Sequence, residues 1–172
     1  SSSDTDAFLT GRLILSMGEG NDSLGAARFK DGDSVDMGAG DDVVDIYTDN
    51  SNGTLTYAAL SMVKLDGGSG TDTLNFANMG SQGSTELTLT GGGATNFENI
   101  YGSVGNDIIR GDSASNVLSG GRGADTLYGM SGNDELLADG SSYSPVVGCA
   151  GSDADSDELY GGAGDDKLCG NA

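Results

Sequence analysis

Aspartate recurs along this chain at a fixed step. Asp107, Asn116, Asp125 and Asp134 lie nine residues apart, and Asp157 and Asp166 repeat the step after a break. Each closes a glycine-punctuated sextet: GSVGND from Gly102, GDSASN from Gly111, GGRGAD from Gly120 and GMSGND from Gly129. A carboxylate beside turn carbonyls is a set of hard oxygen donors, which suits a hard divalent cation and not a soft metal. Catalysis has few materials here. The chain has no His, so acid–base work would fall to carboxylates and a Ser or Cys nucleophile would lack its usual partner. The pairs Asp41-Asp42 and Asp165-Asp166 read as fifth and sixth places of the repeat, and no enzymatic activity is expected within this chain.

The elements that position these acids follow from the same period. Blocks GSVGNDIIR, GDSASNVLS, GGRGADTLY and GMSGNDELL run from Gly102 without a gap, and their eighth places are Ile109, Leu118, Leu127 and Leu136. A period of nine fits neither a helix nor a long alternating strand. A glycine turn followed by a three-residue strand can instead stack on copies of itself into a parallel sheet over a thin apolar interior, with same-side neighbours eighteen residues apart. Gly at the first and fourth places is expected to take φ values closed to other residues, leaving main-chain carbonyls unpaired. After residues 138–151 the phase resumes with SDADSDELY from Ser152 and GGAGDDKLC from Gly161. Isolated copies stand upstream at Met17 (MGEGNDSLG), Met37 (MGAGDDVVD) and Gly67 (GGSGTDTLN). The expected organisation is one continuous all-β solenoid: irregular coils over 1–101, with long loops at 46–59 and 77–96, then regular repeats over 102–172 with an insertion at 138–151.

Composition says what such a chain needs. Its 172 residues hold 27 acidic and 7 basic side chains, a formal net charge of −20. No basic patch exists to neutralise phosphate, which excludes a nucleic-acid binder. Leu, Ile, Val and Phe make up about 19% of the chain, a share typical of disordered proteins at this charge. Yet Gly is 31 and Pro only 1, unlike a disordered linker. Bound divalent cations would supply the missing cohesion. No run of eighteen apolar residues could span a membrane, and Leu13-Ile14-Leu15 is too short for a signal-peptide core.

The blocks from Gly120 and Gly161 match GGxGxDxUx at every defined place, and the chain resembles the repeats-in-toxin (RTX) nonapeptide family over 102–172 and, more loosely, 17–76. The resemblance implies a right-handed parallel β-roll with Ca²⁺ between successive turns on each side. Each site would take second- and fourth-place carbonyls and the sixth-place acid from one turn, and first- and third-place carbonyls and the sixth-place acid from the next. Carried over, one site uses Ser103, Gly105 and Asp107 with Gly120, Arg122 and Asp125; the next uses Gly121, Gly123 and Asp125 with Ser152, Ala154 and Asp157. On the opposite side, Asp112, Ala114 and Asn116 face Gly129, Ser131 and Asp134, and Met130, Gly132 and Asp134 face Gly161, Ala163 and Asp166. Upstream, Gly18, Gly20 and Asp22 face Met37, Ala39 and Asp42, and Gly38, Gly40 and Asp42 face Gly67, Ser69 and Asp72. Asn116, a neutral amide, weakens its site. Six ions would bring the net charge of −20 to −8.

The remaining motifs are plainer. Asp153, Asp155 and Asp157 imitate the start of an EF-hand loop, but Glu158 and Gly164 stand where that loop needs Gly and Glu. Asp33, nine residues before Asp42, could serve an extra ion. Cys149 and Cys169 are the only cysteines; a disulfide between them is expected in a secreted setting, free thiols being the alternative, and zinc lacks further ligands. The resemblance implies export by a type I secretion system of a Gram-negative bacterium to the cell surface or medium. Folding there on extracellular calcium is the expected function, within an adhesin or surface-layer protein. The alternatives are the C-terminal roll of a toxin or exoenzyme, or a module that binds a partner through its loops. Outward third and fifth places form no regular lattice for ice, and no basic groove exists for acidic polysaccharide.

Overall fold

The computed structural model describes residues 13–26, 32–47, 64–79, 85–89, 94–139 and 155–170. Over them the chain is a parallel β-roll of short strands and turns. Seven strands form one sheet: β2 (Ser23–Ala26), β4 (Val43–Ile46), β6 (Thr73–Asn75), β9 (Asn99–Tyr101), β11 (Val117–Gly121), β13 (Glu135–Asp139) and β15 (Lys167–Cys169), in that order. Two four-stranded sheets complete the roll. One holds β1 (Ile14–Ser16), β3 (Ser34–Asp36), β5 (Lys64–Asp66) and β8 (Ala94–Thr95); the other holds β7 (Glu86–Thr88), β10 (Ile108–Arg110), β12 (Thr126–Ser131) and β14 (Glu158–Ala163).

The nine-residue period dictates the register. Ile109 pairs with Leu127 and Leu118 with Leu136, each eighteen residues on, while upstream Leu24 pairs with Val44 and Val44 with Leu74. The middle residue of most triplets points inward, while Leu168 on β15 is exposed. Val35, Val44, Leu65, Leu74, Ile100, Ile109, Leu118, Leu127 and Leu136 are fully buried in one apolar cluster shared by all three sheets. Outside, residues at the ninth place stack in their own row: Tyr128 and Tyr160 lie 4.8 Å apart and nearly parallel, with the Arg110 guanidinium 4.9 Å from the Tyr128 ring centre.

The loop expected at 77–96 is partly strand. β7 and β8 fall inside it, β7 pairing with β10 and β8 with β5, so the chain runs past its next level and returns. Thr85-Glu86-Leu87-Thr88-Leu89 alternates, and Leu87 and Leu89 are buried beside Phe76, Met79 and Phe97. The insertion expected at 138–151 also begins later, since Ala138 and Asp139 belong to β13. Of the loop at 46–59, Ile46 ends β4 and 48–59 lie outside the described residues, as do 140–151.

Two expectations about the turns are corrected. Positive φ falls on the second and fourth places, as at Gly121 (+109°) and Gly123 (+103°), not on the first. The first place is Gly because of close approach: a Cβ at Gly102, Gly120, Gly129 or Gly161 would collide with the sixth-place carboxylate of its own repeat. Nor are the turn carbonyls all unpaired. Turns stacked in register bring each N–H opposite a carbonyl, so Gly18 O accepts Ala39 N–H at 2.8 Å and Ala39 O accepts Gly20 N–H at 2.7 Å. The Gly38, Ser69, Ser103, Asp112 and Ala163 carbonyls likewise accept one amide each. What remains for another partner is the second lone pair of each oxygen.

Candidate metal centre

The turns stack in two columns, one on each edge of the roll. In the first, the sixth-place residues are Asp22, Asp42, Asp72, Glu98, Asn116, Asp134 and Asp166; in the second they include Asp33, Asp107, Asp125 and Asp157. Main-chain N–H groups at the sixth place donate to the acid one level further on, except at Glu98, whose N–H donates to Asp72 O. Asp22 N–H reaches Asp42 Oδ1 at 2.7 Å, and Asp42 N–H reaches Asp72 Oδ1 at 2.9 Å. Asp107 N–H reaches Asp125 Oδ1 at 2.8 Å, Asp125 N–H reaches Asp157 Oδ1 at 2.9 Å, and Asp134 N–H reaches Asp166 Oδ1 at 3.0 Å. The ladder orients each carboxylate that accepts from it and engages one of its oxygens.

The other oxygen is the informative one. Oδ2 of Asp22, Asp42, Asp72 and Asp134 is shut off from solvent and accepts no hydrogen bond from the protein. A buried carboxylate oxygen without a donor costs free energy unless a cation meets it. The electrostatics agree. Desolvation, the largest cause, lifts the Asp72 carboxyl to about 6, and the nearby charges of Asp42, Glu98 and Asp41 push the same way. Burial also lifts Asp107 to about 6 against the amide and hydroxyl of Ser103 and the amide of Thr85. Asp134 is raised by burial and by Asp166 and Asp112.

The donor set fits calcium. Among the described residues no three acidic or thiol side chains converge; where two acids are stacked, a position instead offers two carboxylates with turn carbonyls around them, all hard oxygens, whereas Asn116/Asp134 offers one. Ser103, Gly105 and Asp107 stack level with Gly121, Gly123 and Asp125, and Gly120 and Arg122 lie between the same two turns. Gly18, Gly20 and Asp22 stack on Gly38, Gly40 and Asp42, which bring along Met37 and Ala39; the next level adds Gly67, Ser69 and Asp72. Gly129, Ser131 and Asp134 meet Asp112, Ala114 and Asn116, and Met130, Gly132 and Asp134 meet Gly161, Ala163 and Asp166. Ser152, Ala154 and Cys149 lie outside the described residues, as do Asp31 and Asp153. Asp33 is buried in the second column and accepts Leu13 N–H at 2.8 Å. Cys169 is buried and disulfide-bonded.

Two sets of residues escaped the repeat pattern. Glu98 holds a sixth place in the first column, accepting Asp72 N–H at 2.8 Å, although no glycine punctuates 94–97 before it. Its signal was its position, one residue before the Asn99-Ile100-Tyr101 triplet. The fifth places form a second ladder in the opposite sense: Asp41 N–H donates to Asn21 Oδ1 and Thr71 N–H to Asp41 Oδ1, both at 3.0 Å, and Ala124 N–H donates to Asn106 Oδ1 at 3.1 Å. In the sequence the fifth places read only as part of an outward mixture without a regular lattice.

An acidic parallel roll whose stacked turns present paired carboxylates and carbonyls defines a class of protein: a repeat solenoid built around hard cations. The sequence pattern of the RTX calcium-binding nonapeptide repeat matches residues 90–114, 101–136 and 152–172, in four copies. Over those residues the chain carries RTX calcium-binding nonapeptide repeats. No curated protein matches the chain significantly. Repeats of this kind are typical of secreted bacterial proteins, and the repeat itself is a binding unit and not a catalytic one. Among the described residues no helix is long and apolar enough to cross a membrane.

Proposed function

We propose that this chain is a calcium-dependent folding module of a larger exported bacterial protein. The observation that carries the reading is the row of buried, donorless Oδ2 oxygens at Asp22, Asp42, Asp72 and Asp134. Asp22/Asp42, Asp42/Asp72, Asp107/Asp125, Asp125/Asp157 and Asp134/Asp166 are the carboxylate pairs, each completed by the carbonyls of its two turns. Bound calcium would supply two positive charges per site and ligand bonds that the unfolded chain cannot assemble, so that binding free energy becomes folding free energy. The chain's own residues do the rest. Glycines let the turns approach, the N–H ladder fixes one oxygen of each acid, and the eighth-place aliphatics close the interior.

At low intracellular calcium the repulsion among 27 acids keeps such a chain extended, fit for a type I secretion channel, and millimolar calcium outside the cell closes the roll. The irregular upstream coils favour a surface adhesin or surface-layer protein of a Gram-negative bacterium over a uniform exoenzyme tail. A disulfide from Cys169 to Cys149 would clip the insertion to the last coil. Native mass spectrometry with increasing calcium tests the sites. Asp125 serves two pairs and Asp107 one, so Asp125→Asn is expected to lose two ions and Asp107→Asn one. Equal losses, or none, would refute this assignment.

A further inference from the structure

One level of the first turn column departs from the rest. β8 and β9 are joined by Asn96, Phe97 and Glu98 alone, whereas six residues join β5 to β6 and β10 to β11. This short turn has no glycines at second and fourth places to offer carbonyls. The level next to it carries Asn116, the one amide among the sixth places of this column. Its Oδ1 accepts Asp112 N–H at 3.0 Å and its Nδ2 donates to Phe97 O at 3.4 Å, so both ends of the amide are engaged by protein. A carboxylate in its place would face the Phe97 carbonyl with no proton between the two oxygens.

The other contacts at this level are also metal-free. Glu98, one methylene longer than Asp, spans the shortened turn to Asp72 N–H. Glu98 N–H and Asn99 N–H both donate to Asp72 O, at 3.1 and 2.9 Å, and Val117 N–H donates to Glu98 O at 2.8 Å. Beneath them the roll is at its most apolar. Phe76 and Phe97, both about 1% exposed, pack with Leu87 and Leu89 where the turn lacks the repeat's glycines.

We propose that the Phe97–Asn116 level is a metal-free joint in the turn column, closed by hydrogen bonds and phenylalanine packing, with no ion at Asn116/Asp134. It divides the column into an upstream pair of calcium sites, Asp22/Asp42 and Asp42/Asp72, and a downstream site at Asp134/Asp166. The joint rests on the calcium reading of the other turns. Asn116 is thereby a structural donor and not a weak ligand.

The two roles of Asn116 predict opposite outcomes for Asn116→Asp. A ligand would be improved by the added charge: the variant would bind one more ion than the unmodified chain and fold at lower calcium. The joint predicts no added ion and a calcium midpoint raised roughly threefold or more, since a buried donor is lost and two acceptors are opposed. An extra ion or a lowered midpoint overturns the proposal. Should the variant fail to fold, anomalous diffraction from crystals of the unmodified chain grown in calcium decides. Peaks at Asp107/Asp125 and Asp134/Asp166 with none at Asn116/Asp134 support the joint, and a peak coordinated by Asn116 Oδ1 overturns it. An unmodified chain that binds no calcium in the same titration would overturn the calcium reading itself, a failure told apart because it involves no substitution.

Discussion

Burial holds the Asp72 and Asp107 carboxyls at about 6, above the ordinary carboxylate range. A carboxyl whose folded pKa exceeds its unfolded one stabilises the fold when protonated. That contribution is complete below about pH 4 and is lost as the pH rises through about 6. Calcium-stripped chain brought from pH 7 to pH 5 should therefore gain strand signal in circular dichroism, protons standing in for metal. In the presence of calcium the same acidification should raise the midpoint for folding several-fold. A calcium-stripped chain indifferent to pH over this window would count against buried carboxylates as the seat of the response. A second prediction concerns Met130, whose φ of +80° stands where other turns carry Gly. Met130→Gly should stabilise the calcium-loaded roll by about 1 kcal/mol in urea unfolding, the cost of a side chain in the left-handed region. Exposure of Met130 leaves little burial to lose. At this scale the acids were legible because a fixed period singled them out. The first-place glycines were legible as residues but not in their reason, which needs the carboxylate folded back against them. Glu98 was hidden because its turn is too short to show the repeat.

The strands are two to six residues long, too short to hold by themselves, and they stand because eighth-place side chains interlock across the roll. Leu127→Ala, on β12 between Ile109 and Leu159, should cost about 2–5 kcal/mol of the calcium-loaded fold. Loss of less than 1 kcal/mol in urea unfolding would mean that the interior contributes little beside the metal. The regular strands were readable from the nonapeptide alone, since period and register are one fact. β7 and β8 were not. Their partners, β10 and β5, are chosen by tertiary packing around Phe76 and Phe97, and the alternation at 85–89 was the sole local sign. Likewise β13 runs to Asp139 because Gly121 of β11 supplies a partner there, which no local pattern announces.

For the molecule as a whole the balance lies between an acidic chain and a thin interior. A formal charge of −20 opposes compaction, and roughly one residue in five is a large aliphatic or phenylalanine. Among the described residues, Phe76, Met79, Leu87, Leu89 and Phe97 pack into the core near the level where the first column has no glycine turn. On the proposed reading, apolar packing and bound cations would hold different levels of the roll. Their division explains why composition alone reads as disorder while the spacing of Asp reads as a fold. The most direct test is far-ultraviolet circular dichroism of calcium-stripped chain at pH 7, titrated with calcium and, in parallel, with magnesium. The expected result is a coil spectrum that converts cooperatively to strand with calcium and not with equal magnesium. A full strand spectrum already present in chelator, and unmoved by calcium, would contradict the account.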